Sequence, residues 1–378
     1  MNTSKKRIAF LTGTRADYGK TKSIMRAVDQ SEKFEMFVFI TGMHMHNEYG
    51  NTYDEIVKDA YKNVFMYINQ RLGSSMDTVL SRTIEGFSAY VNEIKPDLII
   101  VHGDRVEPLA AALVGAMNNI LVGHIEGGEV SGNIDESIRH AITKLAHIHF
   151  VANDESKRRV IQLGESENRI FIVGSPDIDI MLSPNLPSWE EVKKRYDIDF
   201  NDFGIVLFHP VTTSYNNMSS YAKMFTRALL ASDSNYVVIH PNNDIGREFI
   251  IEEYARLQNN ERFRIFPSVR FEFFLTMLKQ SNFIIGNSSV GIREASIYGT
   301  PAIDIGDRQK NRCLSAMAHI THCEYNTSAI VEAIRMQQTK SDRAFIFGTG
   351  RSTEGFMNVI NDDSLWSLPL QKHFIDKE

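Results

Sequence analysis

The chain has 378 residues, 43% of them hydrophobic and 23% charged, values that exclude a fibrous or disordered protein. Lys and Arg number 41 against 47 Asp and Glu, a formal net charge of −6, so no nucleic-acid partner is expected and any anionic ligand must be held by a local site. Cys313 and Cys323 are too few for a disulfide framework, no apolar stretch approaches a membrane span, and no signal-peptide pattern follows the basic start, so a soluble cytoplasmic protein is expected.

In chain order, short apolar runs alternate with longer helical patterns. Residues 7–12 (RIAFLT), 36–41 (MFVFIT), 98–102 (LIIVH), 120–125 (ILVGHI) and 170–173 (IFIV) read as strands. They are nearly continuous apolar runs, as expected of strands buried on both faces of a parallel sheet. Helical patterns such as 107–117 and 134–145 lie between them. This rhythm predicts a doubly wound α/β sheet with right-handed crossovers. The polar, two-proline stretch 182–188 (LSPNLPS) interrupts it and reads as a linker. The rhythm resumes with strands at 205–208, 236–239, 263–266, 283–285 and 302–305. Two α/β halves are expected, divided near residue 185. Ligands of open parallel sheets bind beyond the carboxyl ends of the strands. With two such sheets, the expected place for a ligand is the cleft between them.

The first strand runs into Gly13-Thr14-Arg15-Ala16-Asp17-Tyr18-Gly19 and then a helix. Such a turn can offer backbone N–H groups to a phosphate, with Arg15 as a bidentate cation, or it can be an ordinary βα turn with a surface arginine. In the second half, Gly286-Asn287-Ser288-Ser289-Val290-Gly291-Ile292-Arg293-Glu294 repeats the strand–loop–helix pattern. Ser288 and Ser289 carry hydroxyls suited to phosphate oxygens, and Glu294 could accept from ribose hydroxyls. The simpler alternative is that Ser288 only caps a helix. Asp104 in His102-Gly103-Asp104-Arg105, Glu126 in His124-Ile125-Glu126-Gly127, and Asp135 in the loop beyond place three acids around one strand edge. Crowded like charges there would raise pKa values into a range useful for acid–base work. Helix caps and a single ion pair are the plainer explanation. His44/His46 and His147/His149 lack a third ligand, so no metal is expected. His209 and His240 each end a strand of the second half, a position where structural roles are the more common.

Together and in this order, GTRADYG (13–19), TGMHM (41–45), HGDR (102–105), HIEGGE (124–129), DESIRH (135–140), GSPD (174–177), HPVTT (209–213), PNND (241–244) and GNSSVGIRE (286–294) resemble the hydrolysing UDP-N-acetylglucosamine 2-epimerases. The resemblance spans nearly the whole chain and is strongest to the bacterial sialic-acid-pathway branch, which makes N-acetylmannosamine. It implies two Rossmann-like doubly wound domains facing across a cleft, the GT-B arrangement. The N-terminal domain, 1–182, would carry the catalytic acids and be joined by a returning C-terminal helix within about 352–378. The domain over 189–350 would hold UDP. The resemblance also implies UDP-N-acetylglucosamine as substrate, a homodimer or higher oligomer, and no cofactor. Family catalytic groups fall on Asp104, Glu126, Asp135 and His209, and UDP-sugar contacts on Arg15, Asn242, Ser288, Ser289, Glu294 and Arg308. Related branches act on 4-acetamido-6-deoxy sugars in legionaminic acid synthesis. A GT-B glycosyltransferase or a silent nucleotide-sugar sensor would share the architecture, but neither calls for three acids.

Overall fold

The computed structural model describes residues 5–131, 134–309, 319–337 and 339–376, so Cys313 lies outside the described residues. In the first strand, β1 (Lys6–Thr12), Ile8 and Phe10 pack into one core cluster and Ala9 and Leu11 into another. Successive strand residues point to opposite faces, so a strand apolar on both faces needs cover on both. Contacts divide the chain into two units, residues 1–129 with 135–182 and 346–378, and residues 130–134 with 183–345.

Among the described residues, the first unit has a seven-stranded sheet: β1, β2 (Phe34–Ile40), β3 (Val64–Met66), β4 (Leu98–His102), β5 (Leu121–Ile125), β6 (Ile148–Val151) and β7 (Ile170–Ile172), in the order β3-β2-β1-β4-β5-β6-β7. All neighbours are parallel. The helix Ser352–Ile360 belongs to this unit, with Phe356 and Ile360 buried in the cluster that holds Ile8, Ile100, Ile125 and Phe150. Among its described residues, the second unit has six parallel strands: β8 (Gly204–Leu207), β9 (Tyr236–Ile239), β10 (Phe263–Phe266), β11 (Phe283–Gly286), β12 (Ala302–Ile305) and β13 (Ile320–Cys323). Their order is β10-β9-β8-β11-β12-β13. Its core gathers Val206, Phe208, Val238, Ile285 and Ile303.

Both sheets are doubly wound and Rossmann-like, with a switch point between β1 and β4 in one and between β8 and β11 in the other. At the second, Gly286 has φ +145°, and a Cβ there would lie 1.9 Å from the carbonyl oxygen of Leu207. Only glycine permits that approach. The sequence pattern does not anticipate β3 or β13. β3 is only three residues long and β13 (ITHC) mixes polar with apolar letters, so neither gives the apolar run by which the others are recognised. Among the described residues, no helix is long and apolar enough to cross a membrane.

The C-terminal tail is tied to the first unit by buried polar groups. His147 Nδ1 accepts from the N–H of Val122 at 3.1 Å, and its Nε2 lies 2.9 Å from the carbonyl of Leu370. Lys372 Nζ meets Glu165 Oε2 at 2.6 Å and the carbonyl of Lys144 at 2.8 Å. Burial alone would push the Glu165 carboxyl up, but hydrogen bonds from His149, Lys144 and Lys372 hold it down to about 2. A carboxyl held below its ordinary 4.5 stabilises the fold above that value and loses its contribution as pH falls toward 2. Burial also lowers the pKa of His149, which therefore resists charging and adds to acid lability in the same direction. We predict that Lys372→Met raises the pH at which the first unit melts in acid and changes stability less when Glu165 is already Gln. Thermal melts across pH 2–5 check this, and an unchanged acid limb would remove Lys372 from the cluster.

Candidate active site

Strands β4 and β5 are neighbours in register, with His102 opposite Ile125, so the residues that follow them leave the sheet side by side. Asp104 lies beyond Gly103, whose N–H donates to the Ile125 carbonyl at 3.0 Å. Its carboxylate is hydrogen-bonded by Arg139 Nη2, and Arg139 is itself almost wholly buried. A second guanidinium nitrogen, Nη1, donates to the carbonyl of Glu129 at 3.2 Å. Arg139 belongs to the helix Ile134–Leu145, one turn beyond Asp135 and on the same face. Asp135 itself lies in the first turn of that helix, where a carboxylate is favoured by the free N–H groups. The structure thus ties Asp104 to the Asp135 helix through one arginine.

Glu126 follows β5 directly and is buried, with its backbone at φ +68°. A side chain in this left-handed region is strained by about 1–3 kcal/mol and persists only where its surroundings hold it. Here the N–H donates to the carbonyl of Phe150 at 3.1 Å, and Ser175 Oγ donates to Oε1 at 2.7 Å. His102 Nε2 stands 3.4 Å from Oε2, and Lys20 Nζ is 3.9 Å from Oε1 and 3.4 Å from Asp177 Oδ2. The acids are not alone: Asp104 has Arg139 beside it and Glu126 has Lys20.

The two βα turns, similar in sequence, behave differently. In the first, Thr14 caps the helix Arg15–Asp29, and the Asp17 carboxylate accepts from the N–H groups of Gly13 at 2.9 Å and Thr14 at 3.2 Å. Those two donors are occupied by the chain's own Asp17 carboxyl, whose pKa burial raises, and with Thr14 it forms a capping box. Arg15 pairs with Glu55 Oε1 at 2.8 Å. His44, behind this turn, is buried between Thr12 at 3.0 Å and Thr52 at 2.6 Å, and burial brings its pKa down to about 3. Among the described residues, no three His, Cys, Asp or Glu side chains are grouped to hold a metal.

In the second unit, Asn287 joins the loops after β8, β11 and β12, and His209 joins the loop after β9 to them. Asn287 Oδ1 accepts from the N–H of His209 at 2.7 Å, and its Nδ2 donates to the His209 carbonyl at 2.9 Å. The Asn287 carbonyl accepts from Arg308 Nη1 at 3.2 Å and Gln309 Nε2 at 2.8 Å. His209 Nδ1 accepts from the N–H of Asn242 at 3.1 Å, which leaves the proton of the neutral ring on Nε2. Ser288 heads a single 3₁₀ turn, Ser289–Gly291, and its Oγ accepts from Val290 N–H at 3.4 Å. The sequence pattern runs one helix from the serines through Glu294. The α-helix instead begins at Glu294, after the 3₁₀ turn, and Glu294 is buried.

The structure accordingly brings His209, Asn242, Ser288 and Arg308 to one set of connected loops, and Asp104, Glu126 and the Asp135 helix to another. Sequence reasoning passes over Lys20, His102, Arg139, Ser175 and Asp177, which lie around the acids, and Asn287, which joins the second set. His102, Arg139, Ser175, Asp177 and Asn287 stand inside noticed motifs whose other letters draw the attention, and Lys20 is an isolated letter whose meaning depends on packing.

Residues 26–361 match the UDP-N-acetylglucosamine 2-epimerase family. The chain is 46% identical over 376 residues to a UDP-N-acetylglucosamine 2-epimerase of Neisseria meningitidis serogroup B, covering 98% of this chain and 99% of that protein. It is 31% identical over 378 residues to the UDP-N,N'-diacetylbacillosamine 2-epimerase (hydrolyzing) of Legionella pneumophila subsp. pneumophila, covering 98% of each. In three dimensions it resembles the crystal structure of Methanocaldococcus jannaschii UDP-GlcNAc 2-epimerase in complex with UDP-GlcNAc and UDP, with a TM-score of 0.80 at 21% identity over 94% of this chain and 99% of that one. The last likeness shows the shared fold, and the sequence matches, which run nearly end to end, show that this chain belongs to the UDP-N-acetylglucosamine 2-epimerase family.

Proposed function

We propose that the chain is a hydrolysing 2-epimerase that converts UDP-N-acetylglucosamine and water to N-acetylmannosamine and UDP, in the cytoplasm and as a homodimer, in supply of sialic acid synthesis. The observation that carries this reading is Glu126, a strained, buried carboxylate held by Ser175 beside Lys20 and His102. Such a group suits proton transfer to carbon better than it suits stability.

The proton at C2 of the sugar is not next to a carbonyl, so a carboxylate could not remove it unaided. If the C1–O bond to UDP breaks first, its electron pair leaves with the diphosphate and C1 becomes oxocarbenium-like. The C2 proton is then acidic enough for a carboxylate to take it, forming 2-acetamidoglucal. Water adds to C1, and C2 regains a proton on its other face. On this scheme Asp104, Glu126 and Asp135 of the first unit exchange protons and steady the cation. The second unit holds the leaving group, with Nε2–H of His209 directed at diphosphate and Ser288, Ser289, Asn242, Glu294 and Arg308 around the nucleotide; Arg15 adds a further cation. A reading with a 4-acetamido-6-deoxy sugar in place of N-acetylglucosamine is favoured by the Legionella relative's name, and it keeps the same chemistry. Turnover measured with both nucleotide sugars side by side separates the two.

Product formed in heavy water should carry deuterium at C2, and mass spectrometry of the N-acetylmannosamine checks this. Retention of the original hydrogen would overturn the elimination. Asp104→Asn, Glu126→Gln and Asp135→Asn should each slow turnover by about 10²–10⁴-fold while UDP still binds. Near-normal turnover would strike that residue from the catalytic set.

Replacing Ser288 and Ser289 together by Ala removes two donors to phosphate, each hydrogen bond to a charged group contributing about 1.5–3 kcal/mol. Calorimetry should show weaker UDP binding with the fold intact. Equal affinity in the folded double variant would place the phosphates elsewhere.

A further inference from the structure

Ser175 stands at the N-cap of the helix Pro176–Met181, the position at which a serine ordinarily accepts from a backbone N–H. Its side chain makes no capping hydrogen bond. Instead, wholly buried, it donates to Glu126 Oε1 at 2.7 Å, reaching across 49 residues of sequence. Lys20 Nζ lies 3.9 Å from the same oxygen and is held 3.4 Å from Asp177, two residues after Ser175. One oxygen of Glu126 is thus engaged from two sides, while Oε2 faces His102 at 3.4 Å. The terminal torsion of a glutamate is broad, so a bond to one oxygen is what gives the other a fixed direction.

The turn that carries Ser175 is itself anchored. The Ser175 N–H donates to the carbonyl of Phe347 at 2.7 Å, and Asp179 accepts from the N–H groups of Ser352 at 2.8 Å and Thr353 at 2.7 Å. Gly174, at φ +85°, lies so near that a Cβ would come within 2.9 Å of Ser352 Oγ. A serine serving only the helix would need none of this.

We propose that Ser175 is a positioning residue of the epimerisation, acting through Glu126: it ties Oε1 so that Oε2 alone meets the migrating proton, while Asp177 keeps Lys20 beside the tied oxygen as its counter-charge. This rests on the reading of Glu126 as an acid–base group. Preorganisation of this kind acts on the chemical step and not on substrate affinity.

The test is a double-mutant cycle on the full chain with UDP-N-acetylglucosamine as substrate. Ser175→Ala should lower kcat about ten- to a hundredfold, the value of a hydrogen bond to a charged group, with KM and UDP affinity unchanged. In the Glu126→Gln background the same substitution should add nothing, because its effect passes through that carboxylate. Ser175→Thr, which keeps the hydroxyl, should recover most of the rate. Ser175→Cys, close in volume and a weaker donor, should show the loss without the void that alanine leaves. A Ser175→Ala enzyme with normal kcat, a change confined to KM, or an equal loss in the Glu126→Gln background would each overturn the proposal. If Glu126→Gln itself turned over normally, the reading of Glu126 would fall and this inference with it. That outcome is distinct from a slow Glu126→Gln enzyme beside an unaffected Ser175→Ala.

Discussion

A parallel strand buried on both faces has no free side for chemistry, so polar groups can be placed only where it ends. This constraint governs both units. In the first, Asp104 and Glu126 leave from adjacent strands within a few residues of the last ladder pair. In the second, His209 and Asn287 leave from the neighbours β8 and β11, and the two loops are joined by reciprocal hydrogen bonds. Because the strands are held in register over nearly continuous apolar cores, the directions of these loops are set by the sheet.

The acids of the first unit are not a bare cluster of like charges. Arg139 reaches Asp104 from the Asp135 helix, and Lys20 reaches Glu126 from the first helix while also touching Asp177. Taking one carboxylate out of water is expensive unless a cation and hydrogen bonds replace the solvent. The surrounding donors meet that need and orient the groups at once. The left-handed backbone of Glu126 fits the same account: its N–H is held by a carbonyl of β6 and its carboxylate by Ser175 in the turn after β7, at a cost in local strain.

Two glycine turns that look alike on paper take different courses. Asp17, four residues after the glycine of the first, folds back and takes its N–H groups. The second has no acid at the matching place, and its loop is braced by the amide of Asn287 from within and by Arg308 and Gln309 from beyond β12. A capping box is local and could be read from the spacing of Thr14 and Asp17. The bracing of the second turn depends on residues about twenty positions further along the chain.

The apolar runs alone determined the fold class, because doubly buried parallel strands carry a one-dimensional signature in their composition. β3 and β13 escaped it, since one is three residues long and the other interleaves Thr321 and His322 with its apolar letters. The motifs likewise marked where Asp104, Glu126 and the Gly286–Ser289 turn would stand, at strand ends. Which groups would stand beside them was decided only by the tertiary structure. Ser175 and Lys20 lie 49 residues after and over a hundred before Glu126, on a turn and a helix that packing alone brings to it. Sequence spacing encodes the partners a residue meets within a turn of helix or along a strand. Partners met through the stacking of elements depend on the distances between them, which the order of letters does not carry.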